Sequence, residues 1–508
     1  MLNRIIGEEI EWEGGYRPGP DGVWSSIGVV FDKIVEVTTR NYKHCFAGNQ
    51  GIFLPNGARA YFEATGQHFE TATPECSSAR EALKFDKWSE LFVCWLAKEL
   101  KENYGIDLVF YKKNADSSFG ENTTRGCHES YFSEKQFGHL LSNSEEILRK
   151  LIMVGKSASI NPEINYLILF LITRQIFTGS GGIMLHSLKN EKDVYEISPK
   201  TNYIQAIISA ASTSSSSIGR PIVHVRKESL SHDDKYFRNH LILGDANMAD
   251  LSIFLKFGTT SAVLEMIEGN FWDRRLCLAD ILEAPKLLQA ISKDLTLSSV
   301  PIRLKDGKYY TVLQIQRKFC KNWRRYLRHT PSSGEKVEIA ERWLEVLNRL
   351  EIDDEKLYSQ LDWKIKMRLI RDYMDIKGLP LNHINVINLD KVYHIPDPNL
   401  GFYYKLKNRP GAEFESLVDE SEIFEADKTP PNNRAKLRGY LKKLFDELGL
   451  ISAVSWEWVT FRPDISSSSE YKIHMIDPRL SSVLSLKLPI NAESISRLND
   501  FRPGALVI

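Results

Sequence analysis

The sequence lacks paired cysteines, an excess of charge of either sign and any long apolar segment. Its six cysteines stand far apart without a Cys-x-x-Cys pair, which argues against a disulfide framework or a zinc site and favours free thiols. The 66 lysines and arginines balance the 66 aspartates and glutamates, so we expect no nucleic-acid or membrane-binding charge spread over the whole molecule. The strongest apolar run, Tyr166–Ile172, is far shorter than the ~20 residues that cross a bilayer.

The first residues, MLNRIIGEEIEWEGG, also lack the apolar core of a signal peptide, so we expect a cytoplasmic protein. With 508 residues, 43% of them hydrophobic, the chain is long enough for a large core and, at roughly 150 residues each, about two to four domains. Gly179–Gly182 is rich in glycine, but no Lys-Ser/Thr pair follows it, so it is no P-loop and is left as a turn or a mobile flap.

Hydrophobic periodicity divides the chain into a strand-rich first part, a helical middle and a small C-terminal unit. It predicts strands over 2–12, 27–37, 51–63, 106–112, Arg220–Arg226 and Leu241–Leu243. It predicts helices over Ser78–Asn103, Met248–Glu268, Val337–Leu350 and Lys364–Asp375. Residues 395–433, rich in Pro, Gly and Asp, are interpreted as a linker. A basic helix, Arg434–Leu448, and strands over Ala453–Phe461 and Tyr471–Ile476 follow it.

Polar side chains are arranged on these strands in a way that matters for function. Since side chains alternate faces along a strand, Glu9 and Glu11 project together, and so do Arg59, Tyr61 and Glu63. Such a face is costly to bury unless its groups are paired. It is therefore either exposed to solvent or lines a site that holds cations and anionic ligands.

The recurrence of these clusters favours the second interpretation. Four acidic clusters each lie on or beside a predicted strand: Glu9 with Glu11, Arg59 with Tyr61 and Glu63, Glu70 with Glu75, and His128 with Glu129. Converging carboxylates suit Mg²⁺, which prefers oxygen ligands and commonly bridges to nucleotide phosphates. Arg220 and Arg238 stand near strands where they would neutralise phosphate oxygens. His240 shares the strand face of Arg238, although a lone histidine there is also compatible with a structural role.

At these residues the chain resembles a known family, the one that contains the Pup ligase and the Pup deamidase/depupylase, carboxylate–amine ligase relatives with a glutamine-synthetase-like fold. The resemblance rests on stretches that occur in the same order over most of the chain: RIIGEEIEW, NGARAYFE, HFETATPEC, GCHESYF, TRQIFTGSG, RPIVHVRKE, RNHLILGDANMADLSIFLKFGTTSAVLEMIE, LDWKIKMRLI, LDKVYH, TPPNNRAKLRGY and SWEWVTF. It implies an α+β fold in which helices back a curved antiparallel sheet. It also implies a large catalytic domain, residues 1–425, and a small α/β domain, residues 426–508, that contributes to the nucleotide site.

The resemblance also implies site residues and cofactors, ATP and Mg²⁺. The family pattern makes Glu9, Tyr61 and Glu70 resemble magnesium ligands, with Glu11, Glu129 and His240 as further candidates. It makes Arg59, Thr73, Arg220 and Arg238 resemble ATP contacts, with either Trp456 or Trp458 against the adenine. Glu63 stands where the family has an aspartate, one methylene shorter, and is the candidate catalytic base.

The implied activity is ATP-dependent formation of an isopeptide bond between a Pup-like modifier and lysine-bearing proteins, through a γ-glutamyl phosphate. Two alternatives stay open. The first is ATP-requiring hydrolysis of the same γ-glutamyl amide or isopeptide bond, and the second is an inactive nucleotide-binding scaffold. The short segment before NGARAYFE and the stretch TPPNNRAKLRGY resemble the ligase, whereas TGSG, GDANMAD, FLKFGTT and Pro74 resemble the hydrolase.

Overall fold

The computed structural model describes residues 4–18, 25–48, 51–62, 68–116, 123–134, 161–185, 193–209, 220–225, 230, 236–332, 334–462 and 470–481. The strands of the catalytic part are β1 Ile6–Pro18, β2 Ser25–Ser26, β3 Phe46–Gly48, β4 Gly51–Phe53, β5 Arg59–Phe62, β6 Phe69–Ala72, β7 Ile106–Tyr111, β8 Ala115–Asp116, β9 Thr123–Thr124, β10 Cys127–Glu134, β11 Gly182–Met184, β12 Val194–Glu196, β13 Ile204–Ser209, β14 Arg220–His224 and β15 Tyr236–Leu241. Short hairpin strands β16 Ile302–Arg303 and β17 Tyr309–Tyr310 follow, and β18 Ile451–Val454, β19 Trp458–Arg462 and β20 Tyr471–His474 belong to the C-terminal part.

The described helices are α1 Phe31–Asn41, α2 Ala79–Tyr104, α3 Pro162–Thr173, α4 Gln175–Thr178, α5 Asp250–Glu268, α6 Ala284–Lys293, α7 Val312–Leu327, α8 Gly334–Ile352, α9 Asp362–Lys377, α10 Ile384–Val392, α11 Phe402–Lys407, α12 Glu420–Ala426 and α13 Arg434–Glu447. Short 3-10 turns lie at Ile27–Val30, Pro199–Tyr203, Ile281–Glu283 and Glu355–Ser359. In the described ranges, no helix is both long and apolar enough to span a membrane.

One large sheet organises the catalytic part, in the order β13-β14-β15-β10-β1-β6-β5-β4-β3, with β2 and β7 also paired to β1. The sheet is mixed, because β13 and β14 run parallel, whereas the other described neighbours run antiparallel. The prediction of an antiparallel sheet is therefore wrong for this pair. Strand direction depends on the path of the connection, and side-chain alternation carries no information about that path.

The two faces of β1 differ in the way its alternation predicts. Ile6, Ile10 and Trp12 are buried on one face, together with Glu8, whose carboxylate oxygen lies 2.6 Å from Lys256 Nζ on α5. Helices α2, α3 and α5 supply much of the core behind this face. The run from Tyr166 to Ile172 lies within α3 and is completely buried, so it is a core helix. The opposite face of β1 carries Glu9 and Glu11.

Several predicted elements differ from the structure. The strand predicted over 51–63 is the hairpin of β4 and β5, and the strand predicted over Leu241–Leu243 shares only Leu241 with β15. Residues 27–37, predicted as a strand, form a 3-10 turn followed by α1, with Ile27, Val30, Ile34 and Val37 buried at helical spacing. The β-branched residues of this segment favoured a strand, but the spacing of its apolar residues decided the outcome. Residues 395–433, predicted as a linker, contain α11 and α12, of which α12 begins with a capping box at Asp419.

The C-terminal part packs α13 against a three-stranded sheet, β18-β19-β20. Its core includes Leu441, Phe445, Val459 and Ile473, and Phe53 from β4 packs into the same cluster. The predicted helix and the predicted strand Tyr471–Ile476 are confirmed to within a few residues. The single strand predicted over Ala453–Phe461 is wrong, because β18 and β19 form an antiparallel hairpin there. The boundary between residues 425 and 426 stays a prediction.

Candidate active site

The register of the sheet brings the polar residues of four strands together on the side away from the helical core. Glu9 lies opposite His128 on β10 and opposite Ala72 on β6, while Glu11 lies opposite Glu70. Tyr61 on β5 lies opposite Glu70 in turn. Because residues directly opposite each other share a face, these side chains meet along one row.

The first cluster is built around the carboxylate of Glu9. Arg238 Nη2 lies 2.6 Å from Glu9 Oε1, and the other oxygen lies 3.6 Å from both His128 Nδ1 and His240 Nε2. Burial opposes ionisation of Glu9, but Arg238 and then the two histidines hold its pKa well below the usual value. Burial, followed by the charge of Arg238, lowers the pKa of His240 to about 3. The cluster therefore contains a carboxylate and a neutral imidazole.

The second cluster lies one register step along β1. Glu11 is 3.7 Å from His68 Nδ1 through Oε2 and 4.0 Å from His128 Nε2 through Oε1. Across the sheet, burial and then the charges of Glu70 and Glu9 raise the pKa of Tyr61 well above its usual value, so its oxygen stays protonated. The guanidinium of Arg59 stacks on the Tyr61 ring, 4.1 Å from its centroid.

The donor set of the first cluster fits a divalent cation. One ligand atom from each of Glu9, His128 and His240 lies within 4.8 Å of the other two. Two atoms that each lie about 2.1 Å from one ion are about 3 to 4 Å apart, which matches the 3.6 Å separations here. His240 Nε2 is buried and has no hydrogen-bond partner among the described residues. An ion at this position would give that nitrogen a ligand bond.

A cleft of about 590 Å³ opens beside the first cluster. It is lined by Glu9 and Arg238 at one side, by Thr73 beyond the end of β6, and by Arg434 and Trp456 of the C-terminal part. The Thr73 hydroxyl accepts a hydrogen bond from the backbone N–H of Glu8 at 3.0 Å. The lining of the cleft thus contains guanidinium groups, which recognise phosphates, a carboxylate, which binds a metal ion, and an indole, which stacks on a nucleotide base.

A buried ion pair attaches the C-terminal part to this cleft. Arg434 Nε donates to Glu75 Oε1 at 2.8 Å, and Arg438 donates to Oε1 at 3.0 Å and to Oε2 at 2.9 Å. Arg438 also donates to the backbone oxygens of Trp456 at 3.0 Å and Gly57 at 2.9 Å. Burial opposes ionisation of Glu75, but the two arginines lower its pKa to about 2. One carboxylate thus holds the helix that supports Trp456.

Two of the predicted site residues do not join these clusters, and a third is not described. Glu129 lies on the opposite face of β10, fully buried, with Oε2 2.9 Å from Arg174 Nη1, so it is withdrawn as a metal candidate. Trp458 lies on β19 under Lys472, whose Nζ is 4.5 Å from the ring centroid, and it does not line the described cleft. Of the two tryptophans, Trp456 is retained. Glu63 lies outside the described residues.

Arg220 lies on the same face of the sheet as the two clusters but outside the described cleft. It begins β14 on the face shared with His224 and donates to Thr124 Oγ1 at 3.1 Å. It lies on the predicted side of the sheet, but the described cleft does not include it.

Sequence reasoning also missed several residues. His128 takes the place assigned to Glu129, and the pattern contained the signal for this: Cys127, Glu129 and Tyr131 share a parity, and two of them are typical core residues. The partners of Glu75 come from a helix more than 350 residues away along the chain, and no local sequence pattern predicts them.

The Gly179–Gly182 segment is a buried turn, since Gly181 has φ +66° and the Ser180 N–H donates to Asp245 at 2.9 Å.

Comparisons with known proteins point to one family. A family model described as Pup-ligase protein matches residues 29–460. A Pup–protein ligase of Corynebacterium efficiens is 30% identical over 460 residues, covering 88% of this chain and 85% of the relative. A depupylase of Acidothermus cellulolyticus is 30% identical over 419 residues, covering 82% and 76%.

Solved structures give the same result. The complex between the prokaryotic ubiquitin-like protein Pup and its ligase PafA matches with a TM-score of 0.77 and 26% identity, covering 98% of this chain and 91% of that one. PafA in complex with ADP matches with a TM-score of 0.72 and 26% identity, covering 95% and 96%.

Proposed function

The chain belongs to the Pup-ligase family of ATP-dependent enzymes, and we propose that it is an Mg²⁺-dependent ligase. It joins the side-chain carboxylate of the C-terminal glutamate of a Pup-like modifier to a lysine amine. The observation that carries this proposal is the row of Glu9, Glu11, Tyr61, Glu70 and two histidines along one sheet face, directly beside the cleft.

In this reaction the γ-phosphoryl group of ATP passes to the modifier's carboxylate, and the lysine amine then displaces phosphate from the γ-glutamyl phosphate. The transferring group is highly charged, so positioning and electrostatic stabilisation dominate catalysis. Arg238 lines the cleft, and Arg59 lies on β5, stacked on Tyr61 on the same face of the sheet. Both would contact phosphate oxygens. Thr73 and Trp456 would hold the rest of the nucleotide. When bound, Mg²⁺ would offset phosphate charge, and Glu9, His128 and His240, whose ligand atoms converge, would hold it; Glu11, Tyr61 and Glu70 are further candidates on the same face.

We assign Glu63 as the general base of the second step. A lysine ammonium has no lone pair for attack until a base has removed a proton. Residue 63 directly follows Phe62, the last residue of β5, and Tyr61 on that strand belongs to the site. The longer side chain of glutamate, relative to the family aspartate, retains the carboxylate that this role requires.

Hydrolysis is the second candidate, and a specific finding supports it. The depupylase relative is 30% identical, the same value as the ligase of Corynebacterium efficiens. Water would then attack the same γ-carbonyl in place of lysine, and ATP would be needed but turned over little. The same residues would serve both reactions.

The test separates these candidates by product. We would incubate the full chain with Mg²⁺, ATP, a lysine-bearing protein and a Pup-like protein ending in either glutamate or glutamine. A ligase conjugates the first and releases ADP and phosphate in equal amounts, whereas a hydrolase converts the terminal glutamine to glutamate. Glu9→Gln should abolish either product. Release of AMP and pyrophosphate, or nucleotide binding without any product, would contradict the proposal.

A further inference from the structure

A third imidazole extends the pair formed by His128 and His240. His224 on β14 lies directly opposite His240 on β15, so both side chains share one face of the sheet. The His224 and His240 ring centroids are 5.1 Å apart with an interplanar angle of 85°, and those of His240 and His128 are 5.2 Å apart at 79°. The His240 ring is therefore enclosed between two rings that meet it edge to face.

His224 is deeply buried, with 3% of its surface exposed, and the proposed reaction gives it no role. It is not a member of the ligand group, since the described residues that converge within ligand distance are Glu9, His128 and His240. The ring contact that links His224 to this group is the one with His240.

The ring of His240 must be held in a fixed orientation if it is to bind a metal ion. An imidazole binds a metal well only if its nitrogen points at the ion, and that direction depends on the rotation of the ring about its side-chain bonds. Proteins usually restrict this rotation through a hydrogen bond from the second nitrogen. In His240 the nitrogen that faces Glu9 Oε2, at 3.6 Å, is Nε2, so a hydrogen bond of that kind would have to come from Nδ1. Packing by the two flanking rings restrains the ring from both sides.

We infer that His224 is a positioning residue whose ring holds His240 with Nε2 directed at the divalent cation shared with Glu9 and His128. The inference rests on the proposed function only in requiring a cation at this cluster. It predicts that the size and flatness of the residue at position 224 matter, and that its nitrogens do not coordinate the ion.

The experiment measures binding of Mn²⁺ alone, without nucleotide or modifier, by calorimetry and electron paramagnetic resonance. His224→Ala should weaken Mn²⁺ binding by about 10- to 100-fold, the range typical for loss of a group that orients a ligand. His224→Phe keeps a flat ring, so its affinity should stay within about threefold of wild type. His240→Ala serves as the benchmark for loss of the ligand itself. Far-UV circular dichroism checks folding, and His224→Phe keeps the test usable if His224→Ala does not fold.

Pulsed resonance then counts the nitrogens bound to Mn²⁺. Wild type and His224→Phe should show coupling to two imidazoles, and His224→Ala should show one. Unchanged Mn²⁺ affinity in His224→Ala would overturn the inference while leaving the proposed function intact. A third imidazole coupling in wild type, or a loss in His224→Phe equal to that in His224→Ala, would show that a nitrogen of His224 acts and would also overturn it. Absence of Mn²⁺ binding to wild type would overturn the inference, whereas the proposed function fails only if neither a conjugate nor a hydrolysis product forms.

Discussion

Replacing Glu75 by glutamine should loosen the C-terminal part from the catalytic part. The carboxylate accepts hydrogen bonds from Arg434 and Arg438, and all three side chains are buried. The fall of its pKa from 4.5 to about 2, at about 1.4 kcal/mol per pKa unit, corresponds to about 3 kcal/mol of stabilisation. Removing the charge also leaves two buried guanidinium groups without their anion, and a broken buried pair typically costs about 3 to 5 kcal/mol. We therefore expect the free energy of unfolding to fall by about 3 kcal/mol.

The same contact predicts a pH dependence with a definite sign. Because the folded state lowers the pKa of Glu75, its contribution is complete above pH 4.5 and is lost as the pH falls towards about 2. Wild type should lose this part of its stability over that interval, and Glu75→Gln should not.

Urea denaturation followed by tryptophan fluorescence measures the free energy of unfolding at each pH. Glu447→Gln is the matched control, because Glu447 lies on the same helix, α13, and its side chain is 52% exposed. Nucleotide affinity, measured by calorimetry, should also fall in Glu75→Gln, since Arg438 would no longer hold Trp456 against the cleft. A stability within about 0.5 kcal/mol of wild type, the range of ordinary surface substitutions, would refute the argument that this ion pair attaches the C-terminal part.

Three further predictions concern the site and its support. Glu63→Ala should reduce turnover by about 10²- to 10⁴-fold while leaving ATP affinity unchanged, as steady-state kinetics and calorimetry will show; surviving turnover would exclude Glu63 as the base. Trp456→Ala should weaken nucleotide binding by about 1 to 3 kcal/mol in calorimetry, and an equal loss in Trp458→Ala would contradict the choice between them. Arg174→Met should lower the free energy of unfolding by about 3 to 5 kcal/mol, because it leaves Glu129 buried without its cation. Mn²⁺ affinity measured on a folded Arg174→Met sample should not change, and a change would return Glu129 to the metal site.

Local periodicity predicted most of the long elements, including α2 and α13, which bury an apolar face over three or more turns. It also predicted α5, which is apolar along its length and buried on nearly all sides. It failed at residues 27–37, where strand propensity and helical spacing pointed in opposite directions. It also failed at residues 395–433, where Pro and Gly obscured short helices that tertiary packing stabilises.

In the site, alternation alone placed Glu9 and Glu11 on one face, and the fold brought Glu70, Tyr61, Arg238 and His240 to the same side of the sheet. Parity was not applied to Glu129, which became a metal candidate, whereas its neighbour His128 was named in the same cluster but not as a ligand. Parity is a property of a single strand, so it specifies which side chains share a face but not which face meets the core.

The sequence by itself determined the family, the polar faces of the strands and the chemistry that carboxylates, arginines and a tryptophan can supply. Only the tertiary structure decided which strands are neighbours, that His128 and His240 share Glu9, and that Glu75 holds a helix from the far end of the chain. The physical reason is the sequence separation over which each interaction acts. Side-chain alternation and helical spacing act over a few residues, whereas strand order and buried ion pairs join residues hundreds of positions apart and form only when the whole core has packed.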